Sequence, residues 1–80
     1  MDEELVGHLT SNPNKIKILE VLKSRKEAEM RTISKFSRIP EKILDVVVNE
    51  LKNDKIVEEI EGKFRLTDKG LELFKKIKSI

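Results

Sequence analysis

MRTISKFSRIPEKILDVVVNELKNDKIVEEIEGKFRLTDKG, residues 30–70, carries two helical apolar repeats separated by a proline, then two short apolar runs around a glycine. Met30, Ile33 and Phe36 recur at helical spacing and predict a short helix of about two turns. Residues 37–40 form the turn after it, because Pro40 biases Ile39 away from helical geometry and suits the first position of a following helix. That second helix spans 40–53. Its core set is Leu44, Val47, Val48 and Leu51, which fall within about 100° of one another on the helical wheel. Residues 56–60 and 63–66 are short apolar-containing runs around Glu61-Gly62, where Gly62 supplies the positive φ of a tight hairpin. Thr67 or Asp68 then caps a last helix that reaches Ile80.

Working outward, Asn12-Pro13 starts a helix over 13–24, with Asn12 placed to cap free amides. Ile16, Ile18, Leu19, Val21 and Leu22 leave Lys17, Glu20 and Lys23 as its wet stripe, so this helix is expected at the centre of the core. Before it, Leu5, Val6 and Leu9 can form a helical turn packed on the domain or on a second subunit. The polar connector 24–29 has room for one or two residues paired as a short strand.

Eighty residues make one domain, read as an N-terminal extension (1–12), a central unit (13–66) and a C-terminal helix (67–80). With 38% hydrophobic and 40% charged residues, the core is aliphatic and the exterior mixes signs densely. No apolar run approaches the roughly 20 residues that span a bilayer, and residues 1–9 carry acids where a signal peptide carries bases, so a cytoplasmic chain is expected. The absence of cysteine removes disulfides and thiolate sites. Abundant Lys and Glu without Gln, Cys or Trp resemble the composition of heat-adapted, thermophile proteins.

The net charge of +2 hides alternating blocks. Residues 1–13 carry −3; residues 14–40, with eight bases and three acids, carry +5; residues 41–62, with three bases and seven acids, carry −4; residues 63–80 carry +4.

From Ile16 to Gly70 the chain resembles the winged helix-turn-helix regulators of archaea and bacteria, the group that includes MarR-like and ArsR-like proteins. The match rests on Ile18-Leu19 and Leu22, Ile33-Ser34, Ile39-Pro40, then Leu44, Val48 and Leu51, Ile56-Val57-Glu58, and most specifically Leu66-Thr67-Asp68-Lys69-Gly70. It implies an α+β, mainly α fold: a three-helix winged helix-turn-helix bundle with a C-terminal β-hairpin wing and a fourth, C-terminal helix. Where the family often has Gly, this chain has Arg38 in the turn and Lys55 before the hairpin. Both positions often require a left-handed backbone.

The resemblance implies a DNA-binding transcriptional regulator whose partner is double-stranded DNA. The reading stripe maps to Lys42, Ile43, Asp45, Val46 and Asn49, and the wheel adds Asn53 to the same face. Lys42 suits guanine, Asn49 and Asn53 suit adenine, and Val46 suits a thymine methyl. The stripe is nearly neutral and Glu41 and Glu50 flank it, so phosphate-neutralising bases must come from elsewhere. Arg31, Lys35 and Arg38 are the candidates on the short helix, with Lys23, Arg25 and Lys26 before it. Lys63 and Arg65 alternate with Phe64 and Leu66 on the second hairpin strand, so both bases face outward, where Glu58 or Glu59 compete for them. In the last helix Leu71, Leu73, Phe74, Ile77 and Ile80 cover a face wider than one small domain needs, and a homodimer seam is expected there.

The alternative on the same fold is a protein–protein interaction module that docks a partner on Ile43 and Val46, a role the acidic block 41–62 favours. Enzymatic function is not expected: one histidine, no cysteine and no phosphate-cradling glycine loop leave no nucleophile with a base, and no cofactor or metal is called for.

Overall fold

The computed structural model describes residues 2–79. Its elements in order are α1 (Asp2–Thr10), α2 (Pro13–Arg25), β1 (Glu27–Ala28), α3 (Met30–Ser37), α4 (Glu41–Asn53), β2 (Val57–Ile60), β3 (Lys63–Leu66) and α5 (Asp68–Lys78). Among the described residues the helices therefore number five rather than four: the N-terminal extension is itself a helix, long enough to drive Leu9 into the core at 1% exposure. It packs on α2 and α5.

α2 begins as its sequence dictates. The Asn12 side chain accepts hydrogen bonds from the Asn14 and Lys15 amides at 3.1 and 3.3 Å, and Pro13 occupies the first turn. Ile18, Leu19, Val21 and Leu22 are buried, making α2 the element against which α1, α3, α4 and the sheet pack.

The turn between α3 and α4 is held by a complete set of local bonds. Arg38 adopts the left-handed conformation (φ 62°) and donates its amide to the Ser34 carbonyl at 2.9 Å. The Ser34 hydroxyl donates to the Ile39 carbonyl, and the buried Ser37 hydroxyl accepts from the Ile39 amide at 3.3 Å. These bonds hold Ile39 in the core at 3% exposure and aim Pro40 as the N-cap of α4.

α4 buries the four residues expected of it, Leu44, Val47, Val48 and Leu51. It ends in a Schellman motif: the Ile56 amide reaches the Leu51 carbonyl, the Lys55 amide reaches that of Lys52, and Lys55 takes φ 63°. Leu51 and Ile56, the apolar pair that accompanies such an end, are both fully buried.

β1, β3 and β2 form one antiparallel sheet in that order. The short connector strand thus adds a third strand to the hairpin, through Glu27 opposite Arg65 and Ala28 opposite Phe64. Glu61 (φ 51°) and Gly62 (φ 80°) are both left-handed at the hairpin turn, the type I′ geometry that matches strand twist. The register pairs Glu58 with Arg65 and Glu59 with Phe64, so Phe64 and Leu66 face the core while Lys63 and Arg65 face out.

The closing segment Leu66-Thr67-Asp68-Lys69-Gly70 is a tie between three elements. The Thr67 hydroxyl donates to the Lys55 carbonyl at 2.6 Å and accepts from the Gly70 amide at 3.0 Å, capping α5. Lys69 Nζ donates to the Asp54 carbonyl at 3.0 Å. Gly70 is buried so close to the Ile56 carbonyl oxygen that a Cβ there would collide with it. No helix among the described residues is long and apolar enough to cross a membrane.

Candidate nucleic-acid interface

All nine residues expected to meet DNA are exposed: Arg31 and Lys35 on α3, Arg38 in the turn, Lys42, Val46, Asn49 and Asn53 on α4, and Lys63 and Arg65 on β3. They do not form one continuous surface.

The first group is cationic. Arg31 and Lys35 stand one turn apart on α3, Arg38 follows at the helix end, and no acid interrupts residues 30–38. Lys42 lies in the first turn of α4 just after it. The wing approaches this group at its tip, where Gly62 lines a surface depression together with Arg31, Met30, Glu29 and Glu41. The starts of α3 and α4 and the hairpin turn therefore share one edge.

The second group is the stripe of α4. Val46 is 61% exposed and Ile43 49%, beside Asn49. Glu41, Asp45 and Glu50 are exposed on the same helix against the single exposed ammonium of Lys42, so the stripe carries more negative than positive charge. Asn53 departs from the expected set. It stands about 16 Å along the helix axis from Lys42 at about 1.5 Å per residue, and it lines a cleft with Leu5 and His8 of α1.

The third group is the wing, and its bases are engaged. Arg65 Nε meets Glu58 at 2.9 Å, and Lys63 Nζ stands 3.7 Å from Glu27 of the neighbouring strand side. Glu59, on the opposite face of the sheet, pairs with Lys52 of α4 at 2.9 Å. The expected cross-strand competition is met at Arg65 by Glu58, whereas Lys63 finds Glu27 instead and Glu59 is turned to Lys52. Such exposed pairs are worth only about 0–1 kcal/mol, so they are easily exchanged for another anion.

Of the residues expected at an α5 seam, two point into the core and two are shared between core and surface. Leu73 and Phe74 are 2% and 6% exposed within the domain's own core, and Leu71 and Ile77 are half-buried against it. α1, longer than its sequence pattern had implied, takes up part of the face that looked surplus. Ile80 lies outside the described residues.

Two side chains escaped the sequence reading. Phe36, expected on the helical stripe with Met30 and Ile33, is 52% exposed and carries the Arg25 guanidinium stacked 4.3 Å from its ring centre. The buried place in that turn belongs to Ser37, whose hydroxyl the turn requires. Lys15 is buried at 7% exposure. Its signal was present: it precedes Ile18, Leu19 and Leu22 by three, four and seven residues, the spacing of a core-facing position.

A helix–turn–helix whose second helix lies exposed beside a β-hairpin defines a class by geometry alone. Residues 15–80 match the winged helix-turn-helix family, and the chain belongs to it. Among solved structures, the crystal structure of ligand-free NadR superposes with a TM-score of 0.78 at 17% sequence identity, over 82% of this chain and 50% of that one. The chain thus spans about half the length of that relative, and the likeness establishes the fold. Comparison with curated proteins gives no match.

Proposed function

We propose that the chain is a DNA-binding domain of a transcriptional regulator, working in the cytoplasm. The observation that carries this reading is the acid-free run 30–38, which exposes Arg31, Lys35 and Arg38 beside the exposed start of the α4 stripe. Affinity for duplex DNA comes largely from neutralised phosphates, and these three bases with Lys42, all exposed on α3, its turn and the first turn of α4, are the groups that would supply it. Val46 and Asn49 are then the groove-facing side chains, an apolar contact for a thymine methyl and a paired donor–acceptor for adenine. Lys63 and Arg65 join the backbone contact by exchanging Glu27 and Glu58 for phosphate oxygens. Asn53, turned toward α1, is left out of the groove. With Leu73 and Phe74 in the core, the reading is of one copy per major groove.

The double variant Lys35→Glu with Arg38→Glu tests it. Binding to mixed duplex DNA at low salt is expected to weaken sharply, and the slope of log affinity against log salt to fall by about 2 or more. Unchanged affinity and slope would remove the assignment.

A second reading has its own observation: Ile43 and Val46 form an apolar pair about half exposed on α4, ringed by Glu41, Asp45 and Glu50. Such a surface suits a protein partner with an apolar anchor and basic surroundings. An affinity that hardly responds to salt would favour it over DNA.

A further inference from the structure

The cleft between α1 and α4 holds a lysine that has no partner among the described residues. Lys15, in the first turn of α2, is 7% exposed, yet its ammonium makes no hydrogen bond or ion pair among the described residues. Lysine stems are often covered, but lysines are almost never buried this far without a pair. No buried side-chain nitrogen or oxygen is left unsatisfied among the described residues, so the ammonium must still reach water. The water available to it is that of the cleft, which is lined by Leu5 and His8 from α1, Lys15, Glu50 and Asn53 from α4, and Asp54 at the α4 end. The carboxylates of Glu50 and Asp54 also lack a side-chain partner among the described residues. One small space therefore holds unpaired charges of both signs, an apolar wall from Leu5, and hydrogen-bonding groups on Asn53 and His8.

We propose that this cleft binds a small zwitterion of the α-amino-acid class. Its carboxylate sits on Lys15, its ammonium faces Glu50 and Asp54, and an aliphatic side chain lies against Leu5. A simple anion would meet Lys15 but also two carboxylates, and a simple cation would meet the reverse. Only a ligand with both charges close together complements each, and charge-assisted bonds of this kind are the strong ones. Because the walls belong to α1 and to the last turns of α4, an occupant bridges the N-terminal helix to the exposed helix of the interface. The proposal stands without the DNA reading, since binding is measured directly.

The experiment titrates the full isotope-labelled chain with L-leucine at neutral pH and follows backbone amide resonances. Two half-ligands of the same shape serve as comparison: 4-methylpentanoate, which lacks the ammonium, and 3-methylbutylamine, which lacks the carboxylate. Saturable shifts are expected at Leu5, His8, Lys15 and Glu50 with L-leucine, and binding at least about tenfold weaker for either half-ligand. Lys15→Met keeps the stem and removes the charge. With its amide spectrum still that of the folded chain, it is expected to lose at least about tenfold in affinity. Should Lys15→Met not fold, Glu50→Gln combined with Asp54→Asn, both near the surface, carries the same expectation. Equal binding by the variants, a half-ligand as strong as L-leucine, or no saturable shift with L-leucine up to about 10 mM would each overturn the proposal.

Discussion

Arg38 combines two demands that pull in opposite directions. Its backbone is left-handed at φ 62°, a conformation that costs a residue with a Cβ about 1–2 kcal/mol relative to the right-handed one. Its side chain is exposed beside Lys35 and Lys42, where a cation is useful. Lys55, at φ 63° in the Schellman motif, has the same backbone but lies at the far end of α4. Arg38→Gly and Lys55→Gly should each relieve the strain, offset in part by the entropy glycine loses on folding, for a net gain of about 0.5–1 kcal/mol. In thermal unfolding that is a rise of roughly 2–8 °C for a domain of this size. Only Arg38→Gly should also weaken DNA binding, lowering the salt slope by about 1. Equal DNA binding by the two variants would move Arg38 out of the interface.

At the scale of elements, the wing is the place where sequence and structure part. Its strands, its turn and the inward pair Phe64 and Leu66 were legible, because alternation with period two and a glycine at the bend are local signals. The core set of α4 and the Thr67 cap were legible for the same reason. The hairpin pattern also offered Glu58 to Arg65, but no local pattern could supply the partner of Lys63. Lys63 meets Glu27, which lies thirty-six positions earlier and arrives only because β1 joins the sheet on the far side of β3. The length of α1 and the burial of Lys15 share that cause, since both depend on how α1 packs on α2 and faces the end of α4 across a cleft. Phe36 was misplaced because Ser37 is held inside by the turn's hydrogen bonding, which no hydrophobic count registers. The ion pairs have a measurable consequence. Glu27→Gln with Glu58→Gln frees Lys63 and Arg65 at little cost in stability, about 1 kcal/mol or less. In the proposed function the double variant should bind duplex DNA more tightly and steepen the salt slope, by up to about 2. A tighter complex with an unchanged slope would mean that the wing bases do not reach phosphates.

For the whole molecule, the distribution of exposed apolar surface decides how copies of the chain relate. Among the described residues the large exposed hydrophobics are Phe36, Ile43, Val46 and Ile60, which lie on α3, α4 and the wing tip. None lies on α1 or α5. A stable homodimer joined through its terminal helices needs an apolar interface resembling a domain core cut in half, commonly more than about 2,000 Å² in total. Here that core is already complete inside one copy, with Leu9, Leu73 and Phe74 closed against α2. The 80-residue chain should therefore sediment as a monomer at micromolar concentration. Leu73→Asp should unfold it rather than dissociate it, because the substitution places an unpaired charge in the core. A dimer in sedimentation that Leu71→Glu converts to a folded monomer would instead make α5 the seam. If the chain is monomeric, each copy meets DNA alone with the small footprint of a single module, about 600–1,000 Å². The three bases of α3 and its turn then carry most of the attraction, which is why the proposed binding should be strong at low salt and collapse steeply as salt rises.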